Sequence, residues 1–285
     1  MAQGVKGLVP AADGYQLEAA VYASIPHSHP PYVAIINSGA GIPKNFYEPF
    51  ASWLADKGVP TITYDYRGIG GSRGKSLRHL SASIQDWGSK DCAAILKYAH
   101  GLYPEARIQV VGHSIGGIVT GFVSGSAPRI DRLLFISPHT GYVGDYDSRS
   151  RWKMFVLWHV LMPLLTRLMG YFPGRAFGLP EDLPARVALE WGRRRFKWSI
   201  ASDSSYGSCS HIDAKALSLR PSDDRFATES AVRRVESRFG AARFTDFVLD
   251  VASKSNTRLG HFGFFRPASR DQWWPVALAW LQEEQ

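Results

Sequence analysis

Gly112-His113-Ser114-Ile115-Gly116 sets a serine two residues from a glycine on either side, between the apolar run Ile108 to Gly112 and the helical stretch Ile115 to Val123. A serine on such a strand-to-helix turn needs small neighbours, because the chain reverses beside a helix start where a Cβ would collide. The turn holds the hydroxyl above the sheet edge, and the Ile115 amide at the helix N-terminus faces any negative charge that develops there. That is the chemistry of nucleophilic attack on a carbonyl. A serine hydroxyl is too weak for it alone, so a histidine must take its proton and an acid must orient that histidine.

A second stretch, Tyr64 to Ser76 (YDYRGIGGSRGKS), invites a different chemistry, a phosphate-cradling loop. The P-loop requires G-x-x-x-x-G-K-[ST], since turn size decides which backbone N–H groups converge on the phosphates. Counted back from Gly74-Lys75-Ser76, its first glycine falls at position 69, which is Ile69. The spacing excludes the cradle, and the glycines need another explanation.

The elements that must position these residues are legible as a rhythm. Gln16 to Ala23, Tyr32 to Asn37, Val59 to Tyr64, Ile108 to Gly112 and Leu133 to Ser137 read as strands. Helical spacing between Asn45 and Lys57, over Ser81 to Leu102 and over Ile115 to Val123 separates them, which implies βαβ units and a mostly parallel sheet covered on both faces. The rhythm stops near Pro138 and returns at Ile212 to Leu219 and Phe244 to Val251, before an amphipathic helix over Trp273 to Leu281. Between lies helical, Trp- and Arg-rich sequence punctuated by prolines. The expected organisation is an α/β core of residues 1–140 and 211–285 with a helical cap insertion at 141–210.

Composition bounds the function classes. Of 285 residues, 45% are hydrophobic and 20% charged, which fits a globular chain and excludes a disordered one. The formal charge of +8 comes without a nucleic-acid motif, so it reads as a basic, solvated surface. Cys92 and Cys209 have no metal-ligand spacing and are expected to be buried small hydrophobes. His27 and His29 share a Pro-rich loop without further ligands, so no metal is expected. MAQGVKGLVP lacks the pattern of a secretory signal, and the apolar run Met154 to Met169 is too short and too interrupted to span a bilayer. The expectation is a cytoplasmic protein.

The sequence resembles the α/β-hydrolase superfamily over essentially its whole length. It is similar in particular to a bacterial group of uncharacterised α/β hydrolases that share YDYRGIGGS, GHSIGG, YFPG, a Leu-Pro-rich cap segment and GHFGFFR. These stand here at Tyr64 to Ser72, Gly112 to Gly117, Tyr171 to Gly174, Gly178 to Pro184 and Gly260 to Arg266. The resemblance implies an α/β-hydrolase fold in which D-x-R-G-x-G-x-S is a structural turn, tied down by Asp65 and Arg67. It implies Ser114 as nucleophile and, in the chain order serine, acid, histidine, His261 as base. Asp224 maps onto the acid, with Asp223 as the alternative. In the loop after Tyr32 to Asn37, where lipase-like relatives carry H-G-x-G, this chain has Ser38-Gly39-Ala40-Gly41. A backbone amide there is the expected second oxyanion donor beside Ile115, Ala40 by register or Gly39 one residue earlier.

The expected function is hydrolysis of a carboxylic ester or thioester through an acyl-enzyme, without a cofactor. The partner is a small-molecule substrate, with no nucleic acid and no stable membrane insertion, and a homodimer is left open. Acyl transfer, amide or peptide cleavage, and non-catalytic ligand binding are the alternatives, since one scaffold hosts many chemistries. Trp152, Phe155 and Trp158 of the insertion, with Phe262 beside His261, are expected to line a pocket for a hydrophobic acyl or aromatic group. The same apolar run serves equally to pack the insertion onto the core. Its excess of basic residues, including Arg193, Arg194, Arg195 and Lys197, suits an anionic leaving group such as CoA, or a solvated face.

Overall fold

The computed structural model describes residues 2–24, 29–124, 126–192, 209–254 and 258–283. Eight strands form one sheet: β1 (Val5–Pro10), β2 (Gln16–Tyr22), β3 (Tyr32–Asn37), β4 (Thr61–Tyr64), β5 (Arg107–His113), β6 (Ile130–Ile136), β9 (Lys215–Pro221) and β10 (Arg243–Leu249). A separate two-stranded hairpin pairs β7 (Tyr171–Phe172) with β8 (Leu183–Pro184). The large sheet runs β1-β2-β4-β3-β5-β6-β9-β10. The pairings of β2 with β1 and with β4 are antiparallel, and every pairing from β4 through β10 is parallel. Central strands buried on both faces must be apolar throughout, and Val33, Ala34, Ile35 and Ile36 of β3 are fully buried.

The strand expected at Phe244 to Val251 is β10, exposed along most of its length, whereas β1 is absent from the sequence reading. Both lie at sheet edges, where side chains meet water and the hydrophobic pattern that marks a strand is weak. The insertion carries the β7–β8 hairpin where none was expected. Its helices are Ser148–Phe155, Met162–Met169 and Ala185–Gly192, the first two joined by the π-helical segment Val156–Leu161. His27, Arg193, Arg194, Arg195 and Lys197 lie outside the described residues.

The Tyr64 to Ser76 stretch turns its charges inward rather than toward an anion. Asp65 accepts hydrogen bonds from the Lys44 and Gly71 backbone N–H groups at 2.6 and 2.9 Å. Its Oδ2 lies 3.0 Å from the buried Lys44 ammonium, which also pairs with Glu18 on β2. Gly70, at φ 49°, leaves room for that carboxylate, since a Cβ there would come within 2.4 Å of Asp65 Oδ2. Arg67 bonds the buried Asp91 at 2.7 Å and Asp13 at 2.7 Å. These pairs tie the turn to β2, to the loop after β3 and to the segment preceding the helix Ala93–Leu102.

Arg67→Met leaves Asp91 buried and unpaired, and is expected to cost about 3–5 kcal/mol in urea unfolding. A second readout separates Asp13, whose carboxyl the bonded Arg67 guanidinium holds well below the usual carboxylate range. A carboxyl pKa lower in the folded than in the unfolded chain contributes stability above about pH 4 that is lost as pH falls below it. The parent is therefore expected to lose stability more steeply than the variant below about pH 4; equal slopes would show that Asp13 carries none of the acid sensitivity.

Candidate active site

β5 ends at His113, and the next residue, Ser114, has φ 55° and ψ −120° before the helix Ile115–Thr120 begins. Ser114 pays for this left-handed backbone with about 1–3 kcal/mol of strain, which the surrounding structure must over-determine. Its N–H donates to the Ile136 carbonyl at 3.0 Å. A Cβ on Gly116 would lie 2.1 Å from the Asn37 carbonyl oxygen, and one on Gly112 would lie 2.7 Å from the Gly117 nitrogen. The two glycines are thus required by the closeness of the helix to β3 and to its own strand.

The loop after β9 carries Asp223 and Asp224, the two candidates for the acid. Asp224 Oδ2 accepts from His261 Nδ1 at 2.8 Å, and its Oδ1 accepts from the Phe226 and Ala227 N–H groups at 2.8 and 3.2 Å. Burial pushes the Asp224 carboxyl up, but the adjacent His261 imidazole and these donors outweigh it and hold the group below the usual carboxylate range. With Nδ1–H committed to the carboxylate, His261 Nε2 is left as an acceptor. Asp223 does other work: it accepts from the Leu259 and Gly260 N–H groups at 3.0 and 2.9 Å and anchors the loop that carries His261.

The Ser114 hydroxyl does not meet His261 in this arrangement. Its Oγ lies 3.0 Å from His139 Nε2, on the loop after β6, and among the described residues no other side chain is within hydrogen-bonding distance of it. His139 Nδ1 faces the Tyr146 hydroxyl at 3.3 Å. The His139 and His261 rings are 5.1 Å apart, so both imidazoles stand beside the nucleophile.

A buried relay links the remaining loops. The Gly39 N–H donates to Tyr47 Oη at 2.8 Å, and Tyr47 Oη lies 2.8 Å from His113 Nδ1. His113 Nε2 lies 2.9 Å from the His261 carbonyl oxygen, so it must donate, and Nδ1 must accept the phenolic proton. Burial pushes the His113 imidazole down to about 3, which keeps it neutral in this role. Gly39, the alternative oxyanion donor, therefore has its N–H engaged, whereas no described group accepts the Ala40 N–H.

Ser114, His139, His261, Ala40 and Phe262 line one cavity of about 190 Å3. Its other walls are apolar: Ile42 and Phe226 from the core, and Met154, Leu157, Trp158, Met162, Phe172 and Trp191 from the insertion. Of the four side chains expected in a pocket, Trp158 and Phe262 line this one. Trp152 and Phe155 do not; they are 65% and 42% exposed, on the side of their helix turned to solvent. Among the described residues no group of three His, Cys, Asp or Glu is placed to hold a metal, and no helix is long and apolar enough to cross a membrane.

His139, Tyr146 and Tyr47 escape the sequence reading. A signal for His139 exists, since it follows a parallel strand by three residues, and ligands of such sheets gather at the carboxyl ends of the strands. Tyr47 carries none, because its partner His113 is 66 residues away in sequence.

A parallel sheet with a serine on a strained strand-to-helix turn, facing a histidine–carboxylate pair, defines an α/β hydrolase. Residues 28–177, just over half of the chain, match the family described as serine aminopeptidase, S33, and the chain belongs to it. Among curated proteins it is 28% identical over 128 residues to acylamino-acid-releasing enzyme 2 of Oryza sativa subsp. japonica, covering 43% of this chain and 16% of that protein. It is 24% identical over 142 residues to a polyketide transferase of Aspergillus fumigatus, covering 49% of this chain and 46% of that one. The chain thus spans less than half the length of either relative. An esterase of Pyrococcus furiosus shares the fold, with a TM-score of 0.62 at 16% identity, covering 99% of this chain and 90% of that one.

The relay predicts a stability effect that is separable from chemistry. Tyr47→Phe removes one hydroxyl and orphans both the Gly39 N–H and His113 Nδ1, at about 1–3 kcal/mol for each buried group. Urea unfolding of the variant is expected to show a midpoint lowered accordingly; an unchanged midpoint would mean that the two groups find other partners.

Proposed function

We propose that the protein hydrolyses a carboxylic ester or thioester with a hydrophobic acyl or aromatic group, through an acyl-enzyme on Ser114. The observation that carries this reading is the 2.8 Å bond from His261 Nδ1 to Asp224, in the cavity that also holds the strained Ser114. Rotation about the Ser114 Cα–Cβ bond turns the hydroxyl from His139 toward His261 Nε2. Attack of Oγ on the substrate carbonyl carbon then passes the serine proton to His261, and the Asp224 carboxylate stabilises the imidazolium formed. The Ile115 N–H at the helix start and the Ala40 N–H are the donors for the carbonyl oxygen as it gains charge. His261 returns the proton to the leaving group, and water repeats the sequence in reverse roles to free the acid.

Residues 141–210 act in this reading as a cap, because this segment, Trp158, Met162, Phe172 and Trp191 included, supplies most of the apolar lining of the cavity that holds Ser114. A site of that composition favours apolar substrates held by few polar contacts. A second reading, transfer of the acyl group to an alcohol in place of water, has the similarity to a polyketide transferase in its favour.

Ser114→Ala is expected to abolish fluorophosphonate labelling and to lower ester turnover by roughly four to six orders of magnitude. Asp224→Asn should cost on the order of 10⁴ in kcat by allowing the wrong His261 tautomer, whereas Asp223→Asn, which only loosens a loop, should cost about tenfold. The reverse ranking would move the acid role to Asp223.

The cavity supports a further expectation on p-nitrophenyl esters. Each added buried methylene contributes up to about 0.8 kcal/mol, roughly fourfold in kcat/KM, until the cavity is full. A preference for acetyl over every longer or aromatic ester would show that the insertion closes the site instead of lining it.

A further inference from the structure

His139 is a second imidazole at the nucleophile, and neither the attack nor the protonation of the leaving group uses it. It is 4% exposed and packs against Phe226, Trp191 and His261, with ring centroids 6.0, 5.6 and 5.1 Å away. Its two nitrogens face two hydroxyls, Ser114 Oγ at 3.0 Å and Tyr146 Oη at 3.3 Å. Tyr146 is itself buried, at 2% exposure, and burial holds its phenol protonated. A phenol that gives its proton to Nδ1 leaves His139 with its own proton on Nε2, aimed at Ser114 Oγ.

The two imidazoles, 5.1 Å apart on one cavity, then present opposite polarity to it. His261, with Nδ1–H on Asp224, offers a lone pair at Nε2; His139, in the tautomer whose Nδ1 accepts the Tyr146 proton, offers an N–H. An oxygen lying between the two rings can satisfy both at once, accepting from His139 and donating to His261. Once Ser114 Oγ is part of an ester, it has no proton to give and is a poor acceptor, so both imidazoles turn to the next oxygen in the cavity.

We propose that His139 is a positioning residue for the acyl acceptor, holding the oxygen of the incoming water or alcohol while His261 takes its proton. This rests on the acyl-enzyme reading above. In the deacylation step the acceptor oxygen, held by the His139 N–H through one lone pair, attacks the acyl carbonyl carbon through the other. Its proton passes to His261 Nε2, the carbonyl carbon–Oγ bond breaks, and His261 returns that proton to Ser114 Oγ. His139 gains and loses no proton, so its effect falls on the second half of the reaction and on the choice between acceptors.

The test compares the parent with His139→Ala, His139→Gln and His261→Ala. Three quantities are followed: the rate of fluorophosphonate labelling, the amount of butyryl-Ser114 found by intact-protein mass spectrometry during p-nitrophenyl butyrate turnover, and the ratio of methyl butyrate to butyrate formed in added methanol. His139→Ala is expected to label within about fivefold of the parent, while His261→Ala labels at least a thousandfold more slowly. The same His139→Ala protein should turn over ester at least tenfold more slowly, accumulate butyryl-Ser114 and change its methanol-to-water product ratio. His139→Gln, whose amide N–H can stand in for Nε2–H, should recover most of the turnover. Labelling and turnover that fall by one common factor in His139→Ala would show a merely structural role. Labelling as slow as that of His261→Ala would make His139 the base, and turnover without accumulation would remove it from deacylation; each overturns this proposal alone. A parent that labels but never forms butyryl-Ser114 overturns the ester reading, and this proposal with it.

Discussion

The reversal of the chain at Ser114 is the constraint on which the rest of the site depends. A backbone at φ 55° is stable only if its surroundings leave it no alternative, and here they are packed to contact. The helix that follows lies so close to β3 that Gly116 has no space for a Cβ beside the Asn37 carbonyl. The Asn37 side chain reinforces that approach, bonding Thr120 Oγ1 of the same helix at 2.8 Å and accepting from the Tyr64 hydroxyl at 2.7 Å. These groups are fully buried, where an unpaired amide or hydroxyl would be costly, so strand, helix and turn hold one another in a single arrangement.

Around this fixed point the loops that border the cavity are tied together through buried polar groups. Gly39, Tyr47, His113 and the His261 carbonyl form one chain of hydrogen bonds from the loop after β3 to the loop after β10. Asp223 fixes the second of these loops through two backbone N–H groups, and its neighbour Asp224 fixes the His261 ring. A neutral, buried His113 suits this task, because it joins a donor to an acceptor without bringing a charge into the interior. The loop after β3 is also held by the contacts of Lys44 with Asp65, so the Tyr64 to Ser76 turn acts on the site at second hand.

The insertion supplies apolar lining to the cavity in which the core places Ser114, His139 and His261. Its π-helical segment turns Leu157 and Trp158 toward the cavity and leaves Val160 outside at 47% exposure. An apolar wall of this kind can be reshaped without altering the polar groups beside it, and one scaffold can thereby host different sites.

The sequence by itself determined what short-range rules govern. The Ser114 turn follows from glycine spacing between a strand and a helix, and the parallel core follows from apolar runs separated by helical periods, both local consequences of backbone sterics and burial. Family pattern singled out His261 and Asp224, and the fold joins the two by a 2.8 Å bond. Tertiary structure alone decided the rest. Whether Trp152 of the helix Ser148–Phe155 or Trp158 of the π-helical segment after it lines the cavity depends on how each segment is turned, and periodicity cannot choose between them. Only the fold brings His139 to Ser114, Tyr47 to His113 and Asp223 to Leu259, because these pairs lie 25, 66 and 36 residues apart and no local propensity depends on them. Their physical origin is the sheet, which gathers the carboxyl ends of β3, β5, β6 and β9 along one edge and so makes neighbours of loops that the chain keeps far apart.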